Sequence, residues 1–242
     1  MGGRGSSSIS VGKTGQIIDG GGGSLDVDLT PDSRKDIQTM FVGHTGFSEI
    51  LGTDQMDTAV LGAYGIQLNN LERKYGAIGG SDKPKVGMVD GADFIAAVSY
   101  NPNNTAKQTL ILNYSDMGNI SKAVKQQRKA EKSGWAMPTD SSVKNMARYT
   151  VTHEYGHMLH NSLYAKAVAS GYTGTRNQWL GSQVRSIKSN AQKKYGATSK
   201  SMSTYGKSNS AEFFAEAFAN ANLGNPNAMG KAMNDWLRKQ GF

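Results

Sequence analysis

The segment His153-Glu154-Tyr155-Gly156-His157 constrains this chain more than any other. Two imidazoles four residues apart lie about 40° apart around an α-helix and about 6 Å apart along it, so both rings can reach one point. Glu154 then falls beside that point instead of on it. The neighbours Val151, Thr152, Tyr155, Gly156, Met158 and Leu159 carry no charge, which suits a helix buried within a domain.

The spacing is that of an H-E-x-x-H metal site, in which the two histidines bind and the glutamate acts as base for an activated water. The 242-residue chain has no cysteine, so any further ligand must be His, Asp or Glu. Glu212-Phe-Phe-Ala-Glu216 offers two carboxylates one helical turn apart, with Phe and Ala filling the apolar remainder. Such a buried pair would repel unless a cation lay nearby. The expected arrangement is therefore His153, His157 and Glu212 on the metal. Glu216 is expected to accept a hydrogen bond from a ligand imidazole and fix its tautomer. His160 is too close along the same helix to complete the site and is expected to face solvent or to hydrogen-bond.

Charge points the same way. Residues 141–242 hold 13 Lys/Arg against 4 Asp/Glu, a net of +9, and three of those four acids are Glu154, Glu212 and Glu216. A solvated acidic face does not explain that placement, whereas a cation site does.

The combination of His153-Glu154-x-x-His157, Tyr205-Gly206 and Glu212-Phe-Phe-Ala-Glu216-Ala-Phe resembles the catalytic domain of anthrax toxin lethal factor and related phage and bacterial peptidases. These are zincins with a glutamate third ligand, and the resemblance covers about residues 140–225. It implies one zinc ion per chain on His153, His157 and Glu212, Glu154 as general base, and Tyr205 as donor to the oxyanion. A fourth position left open for water, whose pKa zinc lowers toward about 7, would suit that chemistry. Residues 1–140 show no delivery or receptor-binding pattern, so animal-cell intoxication does not carry over.

The expected fold is α+β: a small mixed sheet, an active-site helix and further C-terminal helices. Residues 1–29, rich in Gly and Ser, are expected to be a disordered arm. Residues 30–242 are expected to form one zincin-like domain, with helices and sheet over 30–140 and a metal-binding helical half over 141–242. Gly12-Lys13-Thr14 lacks the earlier glycine of a phosphate loop, and no strand is expected before it. His44 sits in a glycine loop and receives no role. Thr30-Pro31 would open a short helix through Phe41, and Thr53 or Asp54 a longer one with Val60, Leu61, Tyr64, Leu68, Leu71 and Tyr75 on its apolar side.

Strands are predicted over 85–90, 93–100 and 108–114, with Asn101-Pro102-Asn103-Asn104 as a hairpin turn. The stretch from Leu110 to Asn113 is expected to take substrate backbone as an added strand. Helices are predicted over 120–132, 142–163, 176–194 and 227–239, with Ser208 or Asn209 capping the helix that bears Glu212.

The leading expectation is a zinc-dependent endopeptidase acting on a protein or peptide substrate. A phage or bacterial origin would make virion proteins candidate partners. Two alternatives are a virion-associated structural protein with a non-catalytic zinc site, and a basic nucleic-acid-binding protein. The second has only the +9 half in its favour, with no stacking or zinc-finger pattern. The start lacks the apolar core of a signal peptide and no run approaches a membrane span, so a cytoplasmic or virion-associated location is expected.

Overall fold

The structure, a computed structural model, describes residues 9–11, 17–19, 49–50, 54, 56–76, 78, 83–92, 94–139 and 143–242. Two short strands, β1 (Ile9–Val11) and β2 (Ile17–Asp19), pair antiparallel within the glycine-rich arm. The helix expected from Pro31 to Phe41, the loop around His44 and the candidate cap Thr53 lie outside the described residues.

Asp57 opens helix α1 (Thr58–Tyr75) by accepting a hydrogen bond from the Ala59 amide, while its own amide donates to the Gly118 carbonyl. That tie places the start a few residues after the expected one. The six apolar residues expected on one side are all buried, and Ala59, Ala63, Ile66 and Gln67 are buried too. Helix α1 therefore runs through the interior, with no solvated face over most of its length.

The main sheet is mixed, in the order β3-β4-β6-β5. Strand β3 (Glu49–Ile50) and β4 (Lys85–Val89) are parallel, and β4 is parallel to β6 (Asn104–Asn113). Strand β5 (Ala96–Asn101) forms a hairpin with β6 through Pro102-Asn103, where Asn101 Oδ1 accepts from the Asn103 amide. This order corrects one expectation. The stretch Leu110–Asn113 pairs with β4 on one side, and up to Leu112 with β5 on the other, so it has no edge to offer a substrate. Among the described residues β5 is the edge on that side of the sheet, as β3 is on the other.

Helices α2 (Tyr114–Met117) and α3 (Ile120–Lys132) follow, capped by Asn113 and Asn119. Helix α4 (Val143–Ala169) carries the histidines and extends past the expected end at Leu163. It contains no proline, its one glycine, Gly156, is packed in mid-helix, and it ends at Ser170-Gly171, where Gly171 takes a φ of 96°. Thr105 and Gln108 of β6 hold its second half to the sheet, donating to the Asn161 and Met158 carbonyls.

Helix α5 (Arg176–Tyr195) starts with a Thr175/Gln178 capping box and stops at left-handed Gly196. Helices α6 (Ser210–Asn222) and α7 (Ala228–Lys239) are capped by Asn209 and Asn227. One continuous apolar core runs from Met56 to Leu237 and includes the largest fully buried rings of α1, α4 and α6. The α+β class is as expected. Among the described residues no helix is long and apolar enough to cross a membrane.

Gly156 sets the approach of α4 to α6. A Cβ there would stand 2.8 Å from the Ala215 Cα and 3.2 Å from the Phe218 Cβ. Both are main-chain-proximal atoms that cannot swing aside. Gly156→Ala should therefore lower stability by about 1–3 kcal/mol despite alanine's better helix propensity. Thermal unfolding would check this, and an unchanged midpoint would show that the helices can separate freely.

Candidate metal centre

Because α4 and α6 meet at Gly156 and Ala215, the histidines of one helix face the first turn of the other. Asn209 accepts hydrogen bonds from the Ala211 and Glu212 amides, fixing the start of α6 and the root of the Glu212 side chain. His153 Nε2 and His157 Nε2 are 3.2 Å apart. Glu212 Oε2 lies 3.0 Å from the first and 3.3 Å from the second. A small cation bound tetrahedrally at about 2.0–2.1 Å holds its ligand atoms roughly 3.3 Å from one another. The three donor atoms thus already stand at the separation a metal ion requires, and together they can hold one.

His153 is buried, whereas His157 and Glu212 keep side-chain exposures of 13% and 16%. One side of the group is therefore open to solvent. Burial raises the Glu212 pKa, but hydrogen bonds from His153 and His157 outweigh it and hold the carboxyl well below the usual range. Glu154, 6% exposed, is pushed up to about 7 by burial, an effect that His153 opposes and Glu212 reinforces.

Each imidazole is oriented differently. The His157 Nδ1 is 3.2 Å from His160 Nε2. With His157 Nε2 as the ligand atom, Nδ1 carries the proton and donates it to His160. His160 is fully buried, and burial, then the charges of His157 and Arg176, push its pKa well down, so it remains a neutral acceptor. His160 therefore hydrogen-bonds and does not face solvent. The His153 ring lies between two tyrosines, with Tyr205 stacked at 5.7 Å and Tyr149 at 6.0 Å. Its Nδ1 is buried and has no protein partner among the described residues.

Glu216 takes a different place from the one expected. Its Oε1 accepts from the Met137 amide at 2.7 Å and the Tyr149 hydroxyl at 3.1 Å, and its Oε2 accepts from the Ser203 hydroxyl. No imidazole hydrogen-bonds to it. Glu216 instead ties together the segments carrying Tyr149, Met137 and Ser203, and so fixes the aromatic rings around His153 from beneath. A Cβ at Gly206 would collide with Glu216 Oε2 and Met202 Sδ, which explains the glycine after Tyr205. The Tyr205 amide donates to the Trp135 carbonyl, and the two rings stack at 5.1 Å. Burial raises the Tyr205 pKa first, and Glu212, which accepts its hydroxyl hydrogen bond, raises it further. The phenol is a neutral donor beside the metal group.

Two hollows adjoin this centre, sharing Phe94, Ala96, Glu154 and Tyr205. One, about 320 Å³, reaches toward Met117, Ala123, Trp135 and Tyr149 and is mainly apolar. The other, about 340 Å³, passes Val98, Tyr100, His157, Arg176 and Glu212. Strand β5 runs along the second hollow and touches the first only at Ala96. Sequence reasoning missed Tyr149, Trp135 and Arg176. Tyr149 stands four residues before His153 and so on the same helical face, a signal that was readable. Trp135 and Arg176 reach the site only through tertiary contacts. Comparison of the chain with models of protein families, with curated proteins and with solved structures gave no match.

Proposed function

We propose that this chain is a zinc-dependent endopeptidase of zincin type, similar in its site to the lethal factor group. The observation that carries the reading is the trio of His153 Nε2, His157 Nε2 and Glu212 Oε2 at mutual distances of 3.0–3.3 Å, with buried Glu154 alongside. Two imidazoles and one carboxylate without thiolate suit zinc among the common divalent ions. A zinc ion held there supplies Lewis acidity and lowers the pKa of a water toward about 7.

The chain's residues do the rest. Strand β5 accepts an extended peptide as an additional strand, laying its backbone across Glu154 and Tyr205. Glu154 takes the proton of the attacking water and passes it to the leaving amine. The Tyr205 hydroxyl turns from Glu212 to the oxygen of the tetrahedral carbon, where a lost donor costs about 100- to 1000-fold in rate. The apolar hollow beside Trp135 and Tyr149 receives an uncharged side chain of the substrate.

A purely structural metal centre would close all four coordination positions. The partial exposure of His157 and Glu212, beside a strand edge that is unpaired among the described residues, favours catalysis. The test is cleavage of a peptide library by the full chain, with metal content measured in parallel. Cleavage should stop with a chelator and return with zinc. A chain that holds one ion and cuts nothing would leave the scaffold reading in place and end this one.

A further inference from the structure

Arg176 stands out among the residues around the cleft that the reaction does not use. It is the first residue of α5, and the first turn of that 20-residue helix contains no acid. A cation there faces the positive end of the helix dipole, so the position works against the helix. The side chain is nonetheless held firmly. Its Nε donates to Asn161 Oδ1 at 2.6 Å, and Asn161 Nδ2 in turn donates to Gln108 Oε1 at 2.9 Å. Asn161 and Gln108 are 1% and 5% exposed. The guanidinium also lies 4.8 Å from the centre of the Tyr100 ring, on edge strand β5.

No ion pair to Arg176 exists among the described residues, and its terminal nitrogens have only a long contact of 3.5 Å to His160. It lines the hollow that also contains His157 and Glu212. A half-buried, preorganised guanidinium without a carboxylate partner, at the wall of a peptide-sized cleft, is a recognition group for an anion. Taking the added peptide antiparallel to β5, as β6 is on its other side, fixes where that anion belongs. A peptide paired antiparallel to β5 places its N-terminal residues at the Tyr100 end of the strand and its C-terminal residues at Phe94.

On the reading of the site as a peptidase, we infer that Arg176 selects substrates with an Asp or Glu side chain on the N-terminal side of the scissile bond. The net positive charge of residues 141–242 favours acidic partners in general. Arg176 then provides the local contact, with charge-assisted hydrogen bonds to the side-chain carboxylate.

The experiment is a cleavage-site profile of the zinc-loaded full chain and of Arg176→Ala and Arg176→Glu, using peptides with acidic, neutral or basic residues before the cut. The parent should favour acidic over neutral peptides by about 10- to 100-fold in kcat/KM. That ratio should fall toward one in Arg176→Ala and turn in favour of Lys and Arg in Arg176→Glu. The glutamate variant suits the start of α5, so its helix should remain formed.

A role confined to holding Asn161 and His160 would slow all peptides alike and leave the ratio unchanged, which overturns the inference. So does a parent that cleaves without acidic preference, with the peptidase reading intact. Amidated and free C-termini distinguish a terminal carboxylate as the source, since a loss on amidation alone would also overturn it. A parent that cuts no peptide at all removes both readings.

Discussion

On the proposed mechanism, Glu154→Gln should retain one metal ion per chain and lose about 100- to 10,000-fold in kcat, since it would remove the proton acceptor and leave His153, His157 and Glu212 alone. The substitution is nearly isosteric and the side chain is 6% exposed, so little else changes. Glutamine also eliminates a carboxyl whose ionised form burial disfavours. The folded protein should therefore be at least as stable as the parent near neutral pH, which separates loss of chemistry from loss of structure. Metal content, thermal unfolding and steady-state rates on one peptide would be measured together. Equal kcat in variant and parent would remove Glu154 from the mechanism.

The opposite pattern is expected for Glu212→Ala. This change deletes one of three converging ligand atoms and leaves two imidazole nitrogens 3.2 Å apart. Loss of a partner that only orients a ligand costs about 10- to 100-fold in metal affinity, so loss of a ligand itself should cost more than about 100-fold. Activity should vanish with the metal and return in part at high zinc concentration. Competition with a chromogenic chelator measures the affinity directly. A variant that holds zinc as tightly as the parent would show that the metal sits elsewhere. The two variants together divide the site into its base and its ligands, and no single defect in folding produces both outcomes.

Much of this was legible in the sequence where local rules act alone. Helix α3 matches its expected limits because Asn119 caps it, and α5 does so because Thr175 and Gln178 form a reciprocal cap. The clustering of His153, His157 and Glu212 was readable because i,i+4 histidines and a carboxylate on a capped amphipathic helix leave few other uses for those residues. The edge strand was misassigned even though a signal existed. Leu110-Ile111-Leu112 is apolar on both faces, as an interior strand must be, whereas β5 is mostly half-exposed.

Glu216 could not be placed from sequence. Its partners Met137, Tyr149 and Ser203 are 79, 67 and 13 residues away, and only the packed loops show that both of its oxygens already accept hydrogen bonds. Arg176 was equally opaque, since nothing in its own segment tells of the Asn161–Gln108 chain that holds it.

The ligands come from two helices, with His153 and Glu212 separated by 59 positions along the chain. In a protein without cysteine, an ion shared between them acts as a reversible cross-link that closes a long loop. Such a link removes freedom from the unfolded chain as well as adding contacts to the folded one. The same ion that would make the protein a catalyst would therefore also set its resistance to unfolding. Metal supply in its surroundings would govern how long the molecule lasts as well as how fast it works.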